Sequence, residues 1–231
     1  AEVLVHLLNL KRSSMPHHNT IRRVFQHILD EAEFNRLMQA YQQQAKQGEQ
    51  LAIDGKTLRG ARIADGELAD HLLNVYDVQH QRVLAQVAVG RKENEIVAAP
   101  RALEQVVIAG KIITGDAMHA QRALSAQIVE RGGDDRWVVK ENQRGLYQDI
   151  VQLFAADKPR PGHGKISTDV QQAEMINKDH GCLEKRRIQT SAMLNDYLDW
   201  PGLGQVYRLE RRFSRIRQGK VIKTSHEVEY G

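Results

Sequence analysis

Two short apolar stretches that each lead to one aspartate constrain the fold of this chain more than any other feature. The first runs from Leu51 to Asp54 and is followed at once by Gly55; the second begins at residue 111 and leads to Asp116. Each has the length and composition of a buried strand. Carboxylates at the ends of two such strands are ligands that Mg²⁺ prefers. The pair therefore predicts a metal-dependent site for phosphodiester chemistry.

Each aspartate also has an ordinary structural explanation, which the sequence leaves open. Asp-Gly is a common turn dipeptide, so Asp54 could simply open a turn. Asp116 could be the N-cap of the helix that follows it. The same layout around both acids favours the metal site.

The order of the apolar runs between residues 49 and 157 predicts a mixed sheet flanked by helices. Runs at 71–78 and 82–89 read as a hairpin, and helical patterns then alternate with strands in the order β-β-β-α-β-α-β-α. This order is typical of an α/β fold with helices on both faces. Ligands bind such sheets at the carboxyl ends of the strands. If the two aspartate-bearing strands are neighbours, their axes lie about 4.8 Å apart.

Changes of pattern divide the chain into three predicted regions. Residues 1–48 form a helical prefix, with Asn19 and Asp30 as the N-caps of its helices. Residues 49–157 hold the first part of the α/β core. Residues 158–231 form a β-rich and basic segment.

The charge distribution predicts a polyanionic partner for the last region. The formal net charge is +4, and the whole excess lies in residues 178–231. A local excess of cations is the electrostatic footprint of a nucleic-acid partner. The run from Arg208 to Lys223, with Phe213 among its cations, predicts nucleic-acid contact. The alternative is a solvated edge hairpin protected by its charges.

The rest of the composition is typical of a globular protein from a reducing compartment. The hydrophobic fraction is 41% and the charged fraction 27%, both ordinary values. The single cysteine, Cys182, excludes an internal disulfide. No apolar run approaches the roughly 18 residues of a transmembrane helix, and no secretory leader is recognisable. We expect a cytoplasmic, nucleoid-associated protein.

Several stretches together resemble bacterial insertion-sequence DDE transposases, in the branch that includes the H-repeat-associated proteins. In chain order they are IDGKTLRGA, RKENEI, ITGDAMHAQ, WVVKENQ, KDHGCLEKR and LDWPGLGQVYRLERR, and MPHHNTIRRVF in the prefix is also similar. The resemblance covers nearly the whole chain. It implies an RNase H-like core, two divalent metal ions held by a DDE triad, and DNA strand cleavage followed by attack of the freed 3′-hydroxyl on a target phosphodiester. Mg²⁺ is the implied metal, with Mn²⁺ as a usual substitute.

Carried over by position, the resemblance makes Asp54 the first acid, bridging both ions, and Asp116 the second, holding one. It makes the basic segment an insertion before the final acidic helix. We predict DNA contact for nine polar side chains that follow the two acids or lie in the basic run: Lys56, Arg59, Lys140, Asn142, Gln143, Arg208, Arg211, Arg212 and Arg215. Surface cations and polar loops are the alternatives for the first five.

The third acid of the triad is the least determined residue. Glu184 is the candidate with a family-like setting, but the residues after it read as a strand, whereas the final acid of this family usually lies on a helix. The family carries it in a later His-Trp-x-Ile-Glu pattern, which does not occur in this sequence. We therefore expect Glu184 to be a supporting or DNA-facing residue, and the chain to be truncated at both ends and incomplete as a catalyst.

The predicted function is that of an insertion-sequence transposase which cleaves DNA strands and transfers them. Its predicted partners are DNA at the element ends and at the target, with no membrane; a homodimer in the DNA complex is left open. Two alternatives remain: an inactive remnant that only binds DNA, and an RNase H-like nuclease without strand transfer.

Overall fold

A computed structural model describes residues 16–28, 30, 33–34, 36–38, 40, 47–57, 71–90, 92–156, 169–179, 181–217 and 220–231. The chain divides into two compact units, Ala1–Lys46 and Gln47–Gly231. None of the helices within the described ranges is both long and apolar enough to cross a membrane. The three predicted regions, with boundaries after residues 48 and 157, stay a prediction.

The first unit is helical where it is described. Helix α1 spans His18–His27, and the ring of His17 caps it by accepting a hydrogen bond from the Asn19 amide over 3.3 Å. The prediction of Asn19 as the cap was therefore wrong, because the helix begins one residue before it. The predicted Asp30 cap is present: its carboxylate accepts the Glu33 amide at 2.8 Å, and the described residues from 33 to 40 are helical.

The second unit begins with a five-stranded mixed sheet. Its strands are β1 (Gln50–Thr57), β2 (His71–Asp77), β3 (Arg82–Val89), β4 (Ile112–Gly115) and β5 (Asp134–Trp137), in the spatial order β3-β2-β1-β4-β5. Strands β1, β2 and β3 pair antiparallel, whereas β4 runs parallel to β1 and β5 parallel to β4. The predicted mixed sheet is thus present, and the two aspartate-bearing strands are neighbours.

Three helices alternate with the later strands, as predicted. They are α2 (Glu95–Glu104), α3 (Arg122–Glu130) and α4 (Arg144–Ala156), and short 3-10 turns span Ala117–His119 and Glu141–Gln143. Asn94 caps α2 by accepting the Val97 amide at 3.2 Å. The buried face of α2 carries alanines and one leucine, so the helix packs closely on an apolar sheet face that includes Leu51, Ile53, Leu73 and Val75.

The β-rich segment forms a second sheet, antiparallel throughout. Its strands are β6 (Gln171–Asp179), β7 (Cys182–Ser191), β8 (Val206–Arg217) and β9 (Lys220–Tyr230), in that spatial order. A small apolar core of Val139, Ile150, Phe154 and Val206 lies where α4 meets β8 and β9. The Val139 amide donates to the Tyr230 carbonyl over 2.7 Å. Strand β5 ends at Trp137, and Val139 pairs with Tyr230 in a separate bridge.

Candidate active site

The first aspartate lies inside a strand and not in a turn. Asp54 pairs with Asn74 of β2, and Gly55 pairs with Leu73, so the backbone stays extended through the Asp-Gly dipeptide. Asp54 is exposed. Its carboxylate makes no hydrogen bond or ion pair with any residue that the structure describes, which leaves both oxygens available to a ligand.

The second aspartate follows the end of β4 and caps a turn. The Asp116 carboxylate accepts the Met118 amide at 3.0 Å, so the capping alternative describes its local role correctly, although the capped element is a 3-10 turn. The side chain is nevertheless 69% exposed. Capping fixes the direction of the carboxylate while most of it faces solvent.

Strand register brings the two acids to the same edge of the sheet. The parallel pairs are Gln50 with Ile112, Leu51 with Ile113, and Ala52 with Thr114. Continued by two residues, this register sets Asp54 beside Asp116, on strands whose axes lie about 4.8 Å apart.

Carboxylate oxygens are ligands that a hard divalent cation prefers. Among the residues that the structure describes, no three His, Cys, Asp or Glu side chains are arranged to hold a metal ion. Mg²⁺ is usually bound through one or two carboxylates, with waters and substrate phosphate completing its octahedron. Two exposed carboxylates at one sheet edge fit that mode of binding.

A partly buried polar cluster that sequence reasoning missed lies beside the residues that follow the two acids. Glu95, the first residue of α2, places its Oε1 atom 2.7 Å from Nε2 of His71 and its Oε2 atom 3.3 Å from Nε2 of His119. The other ring nitrogen of His71 is 2.9 Å from the Thr57 hydroxyl. His119 is fully buried and lies three residues after Asp116.

The sequence feature that could have indicated this cluster is the glycine next to each aspartate, Gly55 and Gly115. Gly55 and Gly115 are absent from the glycines that adopt positive φ, so neither is required by backbone conformation. A β-carbon at residue 55 would overlap the Glu95 carboxylate, and one at residue 115 would lie 3.0 Å from both His119 Cδ2 and Trp137 Cζ3. Each glycine therefore makes room for a buried side chain behind the strand.

Two predicted DNA-contacting amides brace the turn after Asp116. Asn142 donates to the Ala117 carbonyl at 2.6 Å, and Gln143 donates to the Ala120 carbonyl at 2.9 Å. These bonds tie the second 3-10 turn to the turn after Asp116, and they leave the predicted DNA contact untested.

The predicted cations near the acids are exposed where they are described. Lys140 precedes the second 3-10 turn, and Lys56 lies two residues after Asp54 and therefore on the same face of β1. Arg59 lies outside the described residues, as do His163 and His180, for which no role was predicted.

The four predicted arginines of β8 divide between the two faces of the second sheet. Arg208 and Arg212 lie on one face, where both bind Glu210, at 3.1 and 2.9 Å. Arg211 and Arg215 occupy alternate positions and thus face the other side. The four side chains therefore do not form one continuous basic row.

Glu210 is the acid around which one basic face is organised. Burial raises the pKa of its carboxyl group, but hydrogen bonds from Arg212, His226 and Arg208 more than offset that effect and lower the pKa to about 2. This acid stays ionised and neutralises part of the cationic charge on its face.

Glu184, the third-acid candidate, lies in the second sheet. It is part of β7, opposite Phe213 of β8, so the predicted strand context is correct. Both carboxylate oxygens accept hydrogen bonds from Arg186, each at 2.8 Å. Its carboxylate is thus occupied by a neighbouring cation.

Comparison with known proteins gives three informative relatives. The chain is 34% identical over 208 residues to "Uncharacterized protein in dhlA 3'region" of Xanthobacter autotrophicus, covering 87% of this chain and 68% of that protein. It is 33% identical over 200 residues to "H repeat-associated putative transposase YhhI" of Escherichia coli (strain K12), covering 83% and 51%. It is 32% identical over 180 residues to "H repeat-associated putative transposase YbfD" of the same strain, covering 75% and 68%.

Other comparisons add little. No protein-family model matches the chain. Among solved structures, it resembles piggyBac transposase in a synaptic complex with hairpin DNA, with a TM-score of 0.40 and 15% identity over 73% of this chain and 36% of that one. A likeness at that level supports no conclusion on fold or function.

The relatives confirm the resemblance seen in the sequence motifs. The chain spans about half the length of YhhI, 51%, so the activity of the whole protein is not carried over with the likeness. YbfD is matched over more than two thirds of its length at 32% identity. The chain therefore belongs to the family of the H repeat-associated putative transposases.

Proposed function

We propose that this chain carries part of an insertion-sequence DDE transposase, in which Asp54 and Asp116 are the first two catalytic acids. The observation that carries the proposal is the register of β1 and β4, which sets the two acids side by side at one edge of the sheet. Family membership supplies the reaction class, cleavage of DNA strands followed by strand transfer.

The strand order supports an RNase H-like core. Three antiparallel strands, joined by short connections or by a segment outside the described residues, are followed by two parallel strands reached through helices. In open α/β sheets, ligands bind in the crevice outside the carboxyl ends of the strands. Asp54 and Asp116 both lie at that edge.

The side chains around the acids would divide the work of binding DNA and metal. Asp54 and Asp116 would hold Mg²⁺, with Mn²⁺ as a substitute. When bound, the ions would activate the attacking oxygen and stabilise the leaving oxygen of the phosphodiester. Lys56, on the same face as Asp54, would bind a DNA phosphate. The amides of Asn142 and Gln143 would keep the turn after Asp116 in place.

The test is the response of metal binding and DNA cleavage to one substitution in each acid. Asp54→Asn and Asp116→Asn keep the size of the side chain and remove its charge. Asp134→Asn is the matched control, because Asp134 is exposed and opens β5 at the opposite end of the same sheet. Binding is measured by titration with Mn²⁺ under electron paramagnetic resonance. Cleavage is measured as nicking of DNA that carries the sequences flanking this reading frame.

We expect each site variant to weaken Mn²⁺ binding by at least the roughly 10–100-fold that loss of an outer partner costs, with the control unchanged. Equal Mn²⁺ affinity in all four proteins would refute the site. Metal binding with DNA binding but no nicking would favour the inactive remnant. Nicking without strand transfer would favour a simple nuclease.

A further inference from the structure

Glu95 connects the backbone segments that carry the two aspartates. One of its carboxylate oxygens faces His119, in the turn that Asp116 caps, at 3.3 Å. The same carboxylate lies against Gly55, in the space that a side chain at that position would fill. A single acid from α2 therefore contacts both strand β1 directly after Asp54 and the turn directly after Asp116.

The burial of His119 makes its contact with Glu95 important. Its side chain is 1% exposed, with Glu95 at 3.3 Å and Asp116 at 3.9 Å from Nε2. Neither ring nitrogen makes a geometrically complete hydrogen bond within the described part of the chain. Burying an imidazole is costly unless a polar partner lies close enough to interact with it. Glu95 is the nearer carboxylate and is itself only 15% exposed.

The alternation of the strand separates Glu95 from the ligand side. Gly55 follows Asp54 directly in β1, so their side-chain directions point to opposite faces of the sheet. Glu95 packs on the Gly55 face, which is the apolar face covered by α2. It therefore supports the strand from behind and is not placed to share a ligand with Asp54.

We propose that Glu95 is a positioning residue for the Asp54–Asp116 pair. It fixes the spacing of the two carboxylates by joining β1 to the Asp116 turn through His119, and His71 holds its other oxygen. The expected effect of Glu95 on metal affinity rests on the proposed function. Its contact with the two backbone segments does not depend on a metal.

The first experiment compares Glu95→Gln with Glu93→Gln in the full chain. Glutamine keeps the volume of residue 95 and removes its charge. Glu93 is a matched control, because it lies two residues away and forms its ion pair with Arg101 on the surface. Hydrogen exchange of the Met118 and His119 amides reports on the turn without metal, and Mn²⁺ titration reports on the spacing of the acids.

We expect Glu95→Gln to speed exchange of these two amides by about tenfold, since a contact to a charged group is lost. We expect it to weaken Mn²⁺ binding by about tenfold or more, with Glu93→Gln matching the parent chain in both. Unchanged exchange in Glu95→Gln would overturn the positioning role whatever the metal does. If Asp54→Asn leaves Mn²⁺ binding intact while exchange responds to Glu95→Gln, the proposed function fails and the positioning role stands.

A double-mutant cycle tests the packing step separately. Gly55→Ala should weaken Mn²⁺ binding about as much as Glu95→Gln, because the new methyl group displaces the carboxylate. In a Glu95→Ala background the same methyl group has room, so its added effect should be much smaller. Additive effects of Gly55→Ala and Glu95→Ala would show that the two positions do not interact, and the proposal would be withdrawn.

Discussion

The two sheets of the second unit are stabilised in different ways. In the first sheet, alternate residues of β2 are buried and pack with α2 in the larger core. In the second, all nine residues of β6 are exposed, and β9 is exposed until its last three strand residues. A buried apolar core can fix the position of a functional side chain, whereas the exposed strands of the second sheet mainly carry charged side chains into solvent. The comparison suggests a scaffold for chemistry beside a surface for binding.

Ion pairs within and between strands stabilise the exposed part of the second sheet. Glu174 of β6 pairs with Lys185 and Arg187 of β7, and Glu210 of β8 pairs with Arg208 and Arg212. The Glu174 pairs are screened by solvent, so each contributes little to stability, whereas Glu210 is buried. The segment that carries the net positive charge therefore neutralises part of that charge itself.

The largest difference is expected for truncation of an isoleucine in each sheet. Ile113 is fully buried in β4, and Ile176 is 61% exposed in β6. Ile113→Ala should lower the free energy of unfolding by about 2–5 kcal/mol, and Ile176→Ala by about 0.5 kcal/mol or less. Urea unfolding followed by circular dichroism measures both. Similar losses would mean that the second sheet has a core partner that its exposure does not indicate.

Acid should destabilise each sheet through one carboxylate. Asp77 in β2 is fully buried; burial raises its pKa, but hydrogen bonds from the Gly48 and His80 amides and from the His80 ring outweigh this and lower the pKa to about 2. Glu210 has the same property in β8, with a pKa of about 2.

A carboxyl group whose pKa is lowered by folding stabilises the protein above its unfolded pKa and ceases to do so as the pH falls through its folded pKa. The reference values are 3.8 for Asp77 and 4.5 for Glu210. The free energy of unfolding should therefore fall between about pH 4.5 and pH 2. Asp77→Asn and Glu210→Gln should each be less stable at pH 7 and show a flatter pH dependence. If the free energy of unfolding of either variant kept the pH dependence of the parent chain, the replaced residue would not be a cause of the acid sensitivity.

The opposite faces of β8 should respond differently when DNA is bound. Arg211→Ala with Arg215→Ala removes two cations from the face away from Glu210, and should reduce the slope of log affinity against log salt by about 1.8, at about 0.9 per phosphate contact on duplex DNA. Arg208→Ala with Arg212→Ala should change the slope less and stability more, because these cations already bind Glu210. Fluorescence anisotropy over a salt series measures both pairs. If neither pair of substitutions changed the salt slope, the arginines of β8 would not contact DNA phosphates.

The smallest effect is expected at Glu184. Its carboxylate is occupied by Arg186 in an exposed pair, so Glu184→Gln should cost about 0–1 kcal/mol and leave Mn²⁺ affinity unchanged. Calorimetric titration and thermal unfolding test both expectations. Loss of metal binding equal to that of Asp116→Asn would make Glu184 the third acid after all.

The order of elements could be predicted because each run has its own periodicity and needs no partner to be recognised. The neighbouring positions of β1 and β4 were a condition of the predicted site and not a prediction, because the sequence pattern does not specify which strands pair. The Glu95–His119 contact could not be predicted, because it depends on which end of α2 meets which side of β1, and spacing along the chain carries no such information. Strand alternation alone separates the four arginines of β8 once the strand boundaries are known. It sets Arg208 and Arg212 on one face and Arg211 and Arg215 on the other.

The hydrogen bond between Val139 and Tyr230 has a consequence for the order of folding. Each strand of the second sheet pairs with the next strand in the chain, so this sheet can form from local hairpins. Pairing of Val139 with Tyr230 joins distant parts of the chain, and such contacts form late because long loops must first close. During synthesis, β5 leaves the ribosome well before Tyr230. We therefore expect the Val139 amide to stay unpaired in the nascent chain until the hairpin of β8 and β9 has formed. Docking of that hairpin would be the last folding step.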